Sequence, residues 1–134
     1  NPSSGRKAPA WDPPKAFIVI DEFGRPLSGE NPLGPEVAQE VLRNLSFSPT
    51  GALITEVHGQ QAIVEAFDEP IVVHKISAPK NDHEQNWCLW GIGLYQDYFS
   101  LDSLKIDEWD RFHGKTLKGI PFVLDNKAIL FIFE

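Results

Sequence analysis

The spacing of apolar and polar positions changes period along this chain, and each change predicts a change of element. In "AFIVID", residues Phe17 to Ile20 are apolar on both faces of a strand, the pattern of a central or covered strand. "EFGRPLSGENPLG" follows as loop, because Gly24, Pro26, Gly29, Pro32 and Gly34 interrupt regular structure. From Pro35 to Leu45 the period is helical. Val37, Ala38, Val41, Leu42 and Leu45 form one stripe, and Glu36, Gln39, Glu40 and Arg43 take the other face. Pro35 suits the first helical position, where its missing N–H costs nothing, and Pro49 and Gly51 stop any continuation.

From Ala52 onward the pattern is that of strands. "ALITEV" and "QAIVEAF" flank His58-Gly59, which predicts a tight hairpin with Gly59 at positive φ. Asp68-Glu69-Pro70 makes the next turn and "IVVHKIS" the next strand. A polar loop from Ala78 to Gln85 leads into "NWCLWGIGLY", a further strand. "LDSLKI" has both strand-like and helix-like spacings. "DEWDRFHG" reads as a short helix near 107–113, with Asp107 as N-cap and Gly114 as its stop. "IPFVL" and "AILFIFE" close the chain as a hairpin around Asp125-Asn126.

The expected fold is therefore α+β. One main helix, about 35–45, packs on a mostly antiparallel, curved sheet of about six to seven strands, with a short helix near 107–113. Residues 16–134 read as a single α+β domain. Residues 1–15, rich in Pro, Ser and Gly, read as a flexible N-terminal tail or linker. Trp11 stands out in that tail, as a residue that docks on its own domain or anchors a partner. The pattern shows no internal repeat and no heptads.

Length and charge narrow the function classes. A chain of 134 residues fits one domain and can hold a core without disulfides or metals. Its net charge is -7, which disfavours nucleic acid and anionic membrane surfaces as partners. Arg111, Lys115 and Lys118 come nearest to a basic patch and read as a solvated charged turn. No apolar run approaches the ~18 residues that suggest a membrane span. The single cysteine cannot make an internal disulfide, which leans towards a reducing, cytoplasmic compartment. The chain starts at Asn1 rather than methionine, so a natural N-terminus further upstream, with or without an export signal, is open. Asn44-Leu45-Ser46 fits a glycosylation sequon but falls at the predicted helix end.

The chemistry concentrates in "NDHEQNWCLWGIG", from Asn81 to Gly93. Read as a strand, Trp87, Leu89, Gly91, Gly93 and Tyr95 share one face, and Cys88, Trp90, Ile92 and Leu94 the other. Cys88 then reads as a small inert hydrophobe whose pKa burial raises. Glycines inside a strand mark a bulge, a bend or a close approach. The pair removes side chains between aromatic rings, so Trp87, Gly91, Gly93 and Tyr95, with Trp109 from downstream, are the candidate ligand-binding residues of a shallow trough. The competing reading fills that trough with the helix or bends the strand there. Catalytic candidates are His74 and His83, with Asp82, Glu84 or Asp97 as acid–base partners. The usual metal spacings are missing, as are a nucleophile elbow, a P-loop and a dinucleotide fingerprint, so neither a metal nor a cofactor is expected.

Three functional readings follow. The first is a non-catalytic domain that binds a protein partner or a small apolar or aromatic ligand. The second is a small enzyme with a pocket between helix and curved sheet, using a His/carboxylate acid–base pair. The third is a structural oligomerisation module, in which the exposed edge of "AILFIFE" pairs in a homodimer or is covered by another part of a longer protein.

Overall fold

In the computed structural model, which describes residues 13–81 and 85–132, the strands sort into three sheets rather than one. The first has six strands in the order β3-β2-β1-β6-β5-β4: β1 (Ala16–Ile20), β2 (Pro26–Ser28), β3 (Asn31–Pro32), β4 (Ser46–Phe47), β5 (Leu53–Val57) and β6 (Gln60–Ala66). The second is β10-β9-β8, built from β8 (Lys75–Ser77), β9 (Trp87–Trp90) and β10 (Gln96–Phe99). The third is β11-β12-β13-β7, built from β7 (Ile71–Val73), β11 (Lys105–Ile106), β12 (Phe112–Lys115) and β13 (Pro121–Leu124). Pairing is antiparallel except between β1 and β6 and between β7 and β13. The α+β class stands, and the single curved sheet does not.

The break falls inside "IVVHKIS". Val73 belongs to the third sheet and Lys75 to the second. The His74 N–H donates to the Trp90 carbonyl at 2.8 Å, and the Asp125 N–H to the Val73 carbonyl at 2.9 Å, so one extended run feeds two sheets.

The hairpin at His58-Gly59 forms as expected, with Val57 opposite Gln60 and both turn residues at positive φ (51° and 80°). Strand β1 is central, between β2 and β6, but covered on one face only: Ile18 and Ile20 are buried while Phe17 is 55% exposed.

Helix α1 (Pro35–Arg43) starts at the predicted proline and ends two residues before Leu45. Its last four carbonyls all find donors. Glu40 and Leu42 accept from the N–H groups of Asn44 and Leu45, Val41 from the Thr55 hydroxyl at 2.7 Å, and Arg43 from the Lys118 ammonium at 2.8 Å. Val41 packs with Ile18 and Ala62, while Leu42 reaches the main core. That core joins all three sheets through Ile20, Val64, Val73, Ile76, Leu89 and Phe122. Phe99 and Phe122 meet edge-on inside it, with ring centres 5.0 Å apart.

Three further expectations are corrected. First, residues 107–113 hold no helix. Asp107 to Arg111 form the turn between β11 and β12, with the Asp107 N–H donating to the Arg111 carbonyl and Asp107 Oδ1 accepting from the N–H groups of Trp109 and Arg111. Asp110 takes φ 62° there, which no helix permits. Second, the segment expected as loop, "EFGRPLSGENPLG", holds β2 and β3, and the turn that leads into it is a twin of this one. Asp21 Oδ1 accepts from the N–H groups of Phe23 and Arg25, and Gly24 takes φ 85°. The hexapeptides are Ile20-Asp21-Glu22-Phe23-Gly24-Arg25 and Ile106-Asp107-Glu108-Trp109-Asp110-Arg111. In each, the arginine returns to the second carboxylate oxygen of the aspartate.

Third, "AILFIFE" is not a strand over its described part. Asp125 Oδ1 accepts from the Ala128 N–H at 2.9 Å and caps a short helix, α2 (Asn126–Ile129), which buries Ala128. Turns continue to Ile132, and residues 133 and 134 lie outside the described residues. The edge-strand argument for a homodimer loses its basis with that strand. No helix among the described residues is long and apolar enough to cross a membrane.

Candidate ligand-binding cleft

Strands β8, β9 and β10 form an antiparallel sheet with two unlike faces, and the split follows from strand alternation. Ile76, Leu89 and Phe99 point into the core, with Trp87 packed against them. The opposite face is a grid of two cross-strand rows. Lys75, Trp90 and Gln96 are register partners in one row, and Ser77, Cys88 and Tyr98 in the next. Ala78, Lys80 and Asn86 extend this face at one end and complete a cleft of about 390 Å³.

The side chains there are partly organised already. The Lys75 ammonium lies over the Trp90 ring, 4.8 Å from its centre. Gln96 Nε2 donates to Cys88 Sγ at 2.9 Å. Burial pushes the Cys88 thiol up from its ordinary value, with a smaller push from the Asp97 charge, and the Gln96 hydrogen bond and the nearby charges of Lys80 and Lys75 only partly oppose it. The sulfur is therefore a protonated floor atom rather than a nucleophile at neutral pH. Tyr98 is half exposed and offers an open ring.

The expected trough does not form. Strand β9 ends at Trp90, and Gly91 to Tyr95 are the turn into β10, closed by the Gly91 N–H donating to the Tyr95 carbonyl. Gly93 sits in that turn at φ 63°. Gly91 has the Tyr95 ring 3.2 Å from where a Cβ would stand, so its missing side chain is filled from within the turn. Tyr95 is buried, and its hydroxyl donates to Asp97 Oδ2 at 2.6 Å. Trp87 faces the core beside Phe99, and Trp109 is exposed at the tip of the β11–β12 turn. The five residues are not brought together. The cleft lies on the other side of β9, behind Cys88 and Trp90.

Of the acid–base candidates, Asp82, His83 and Glu84 lie outside the described residues. His74 Nδ1 is hydrogen-bonded to Asp125 Oδ2, a carboxylate that the sequence pattern did not single out. Asp97 serves Tyr95 and the Tyr98 N–H. His113 stands in β12 rather than at a helix end, with Asp107 at Nε2 and Glu69 at Nδ1. Arg111 pairs with Asp68 and Asp107, and Lys118 holds the end of α1, so two of the three residues nearest to a basic patch are tied into the fold. Among the described residues, no group of three or more His, Cys, Asp or Glu side chains is placed to hold a metal ion.

No family model and no curated protein matches this chain. Its fold is similar to that of a DUF1285 family protein from Shewanella baltica OS155, at 12% identity and a TM-score of 0.72, covering 89% of this chain and 92% of that one. It is also similar to a DUF1285 family protein from Silicibacter pomeroyi DSS-3, at 13% identity and a TM-score of 0.63, covering 91% of this chain and 72% of that one. At these identities the likeness is one of fold alone.

Proposed function

We propose that this protein is a non-catalytic binding domain, and that a small ligand lies on the outer face of the β8–β9–β10 sheet. One observation carries the reading. A cleft of about 390 Å³, within the size range of small-molecule sites, is lined by two aromatic rings and by the polar groups of Ser77, Asn86 and Gln96, over a thiol that burial keeps protonated. The floor is built on regular strands and backed by the core, so its side chains are held in place before a ligand arrives.

The test is a fragment panel titrated into 15N-labelled protein. Ligands should shift the Trp90 indole N–H and the side-chain amides of Gln96 and Asn86 together, and Trp90→Ala should abolish those shifts while the rest of the spectrum is retained. Shifts centred on another face would overturn the assignment.

A second reading rests on the His74–Asp125 pair, since a histidine held by a carboxylate at Nδ1 has the form of an acid–base dyad. His74 does not line the cleft, however, and Asp125 is also employed as the cap of α2. His74→Gln would separate the two, because it should leave ligand shifts at Trp90 unchanged.

A further inference from the structure

We infer that the ligand of this cleft is a small anion carrying a flat ring, an inference that rests on the binding reading above and narrows it to a chemical class. The charge argument comes first. The chain carries 19 acidic against 12 basic side chains, yet among the described residues the formally charged ones lining the cleft are Lys75 and Lys80. Asp97, between Gln96 and Tyr98 on the same strand, is turned to the opposite face by strand alternation and held there by the Tyr95 hydroxyl, although its charge still acts on the Cys88 thiol. The described charges on the cleft wall are thus cationic in a molecule that is acidic as a whole, and low-dielectric walls strengthen a charge contact made there.

The ring argument is independent of charge. Trp90 and Tyr98 sit diagonally across the two rows, one on β9 and one on β10, on a floor made flat by the sheet. A ring stacked on Tyr98 would bring an acidic substituent towards the Lys75 end of the grid. The Lys75 ammonium is already held over Trp90, so little side-chain freedom remains to be lost when it meets an anion. Gln96, Ser77 and Asn86 can donate hydrogen bonds to the remaining oxygens. A ligand that combines ring and acid uses every group on this face. A plain anion leaves the rings unused, and an uncharged ring brings the Lys75 ammonium no anion.

Three probes separate these parts: 2-naphthoate, its uncharged counterpart 2-naphthalenemethanol, and inorganic phosphate. Binding is read from Trp90 and Gln96 NMR shifts on the full chain. The expected order is naphthoate first, by roughly five- to tenfold over the alcohol, the size of a partly exposed charge pair. Phosphate alone should bind more weakly than naphthoate. Added salt should reduce the preference for the acid, and Lys75→Gln should remove most of it. Equal affinity for acid and alcohol, or a preference untouched by Lys75→Gln, overturns the anion assignment while the binding reading stands. Phosphate binding as tightly as naphthoate overturns the ring assignment. If neither ring probe nor phosphate shifts Trp90, the binding reading falls as well.

Discussion

His113 Nε2 lies 2.7 Å from Asp107 Oδ2, closing the β11–β12 turn onto the strand that leaves it. The other ring nitrogen is 3.0 Å from Glu69 Oε2, so both nitrogens face carboxylates and the doubly protonated imidazolium is the favoured form. Burial of the ring opposes that charge, but the hydrogen bonds its N–H groups donate to Asp107 and Glu69 outweigh it and the His113 pKa is raised above its ordinary 6.5. The Asp107 carboxyl is held well below its ordinary 3.8, chiefly by the Arg111 backbone N–H against an opposing burial effect, and also by His113 and the Trp109 N–H. A histidine held this way is a clamp between Glu69 and the turn, not a general base.

The clamp predicts a pH dependence whose sign is fixed by these directions. A raised histidine pKa stabilises the fold fully below the unfolded value and loses that contribution as pH rises through the folded value. A lowered carboxyl pKa contributes above the unfolded value and loses its effect as pH falls. The clamp is therefore strongest in mildly acidic solution. The melting temperature lost in His113→Gln should be larger at about pH 5.5 than at about pH 9. Equal losses at both would mean that the imidazolium contributes nothing.

Gly24 and Gly59 both sit at positive φ, 85° and 80°, but only Gly24 has a neighbour where a Cβ would stand: Val72 Cβ, at 2.9 Å. Gly59→Ala adds backbone strain alone and should cost about 1 kcal/mol. Gly24→Ala adds a clash with β7 and should cost about 2–3 kcal/mol. Urea unfolding of the two variants measures the difference directly, and similar costs would contradict the close packing of the first turn on β7.

Thr55 is buried, and its hydroxyl satisfies a carbonyl of α1 that has no partner within the helix. Thr55→Val keeps the shape and removes the donor, leaving a buried acceptor unpaired. The expected loss is about 1–2 kcal/mol in chemical denaturation, with Thr55→Ser recovering part of it. A neutral Thr55→Val would place the Val41 carbonyl in contact with water.

The parts of this fold that sequence pattern revealed are those fixed by local chemistry. Pro35 and the Val37–Val41–Leu42 stripe define a helix by themselves, and His58-Gly59 is a turn whose backbone demands are met by its own residues. The break at His74 is different. Val72, Val73 and Ile76 all suit a strand, and what divides them is a carbonyl on β9 and an N–H at Asp125, both supplied by distant parts of the chain. At Asp107 and Asp125 the same side-chain chemistry serves either a cap or a turn, and the roles are the reverse of those expected: Asp107 closes a turn and Asp125 caps a helix. The turn at Asp107 is legible by comparison, because "IDEWDR" shares the pattern of "IDEFGR", whose glycine marks it as irregular. The cleft needed the register of three strands, because the row of Lys75, Trp90 and Gln96 exists only once β8, β9 and β10 are aligned. The glycine pair marks one face of "NWCLWGIGLY", whereas the cleft lies behind the other.

The Cys88 thiol gives a direct reading of that face. It is buried at the floor of the cleft, with the Gln96 amide on its sulfur and its pKa raised by burial. A disulfide reagent such as Ellman's should therefore label the native protein at least about tenfold more slowly than the urea-unfolded chain at neutral pH, because both thiolate fraction and access are reduced. Gln96→Ala should speed the native reaction by removing the cover. The direction matters for function. The amide hydrogen bond also lowers the thiol pKa, so if Gln96→Ala slowed the labelling, the amide would be activating the sulfur rather than shielding it. Fast labelling of the native chain together with that slowing would make Cys88 a nucleophile in an aromatic cleft, and an enzyme would then be the better account of this site.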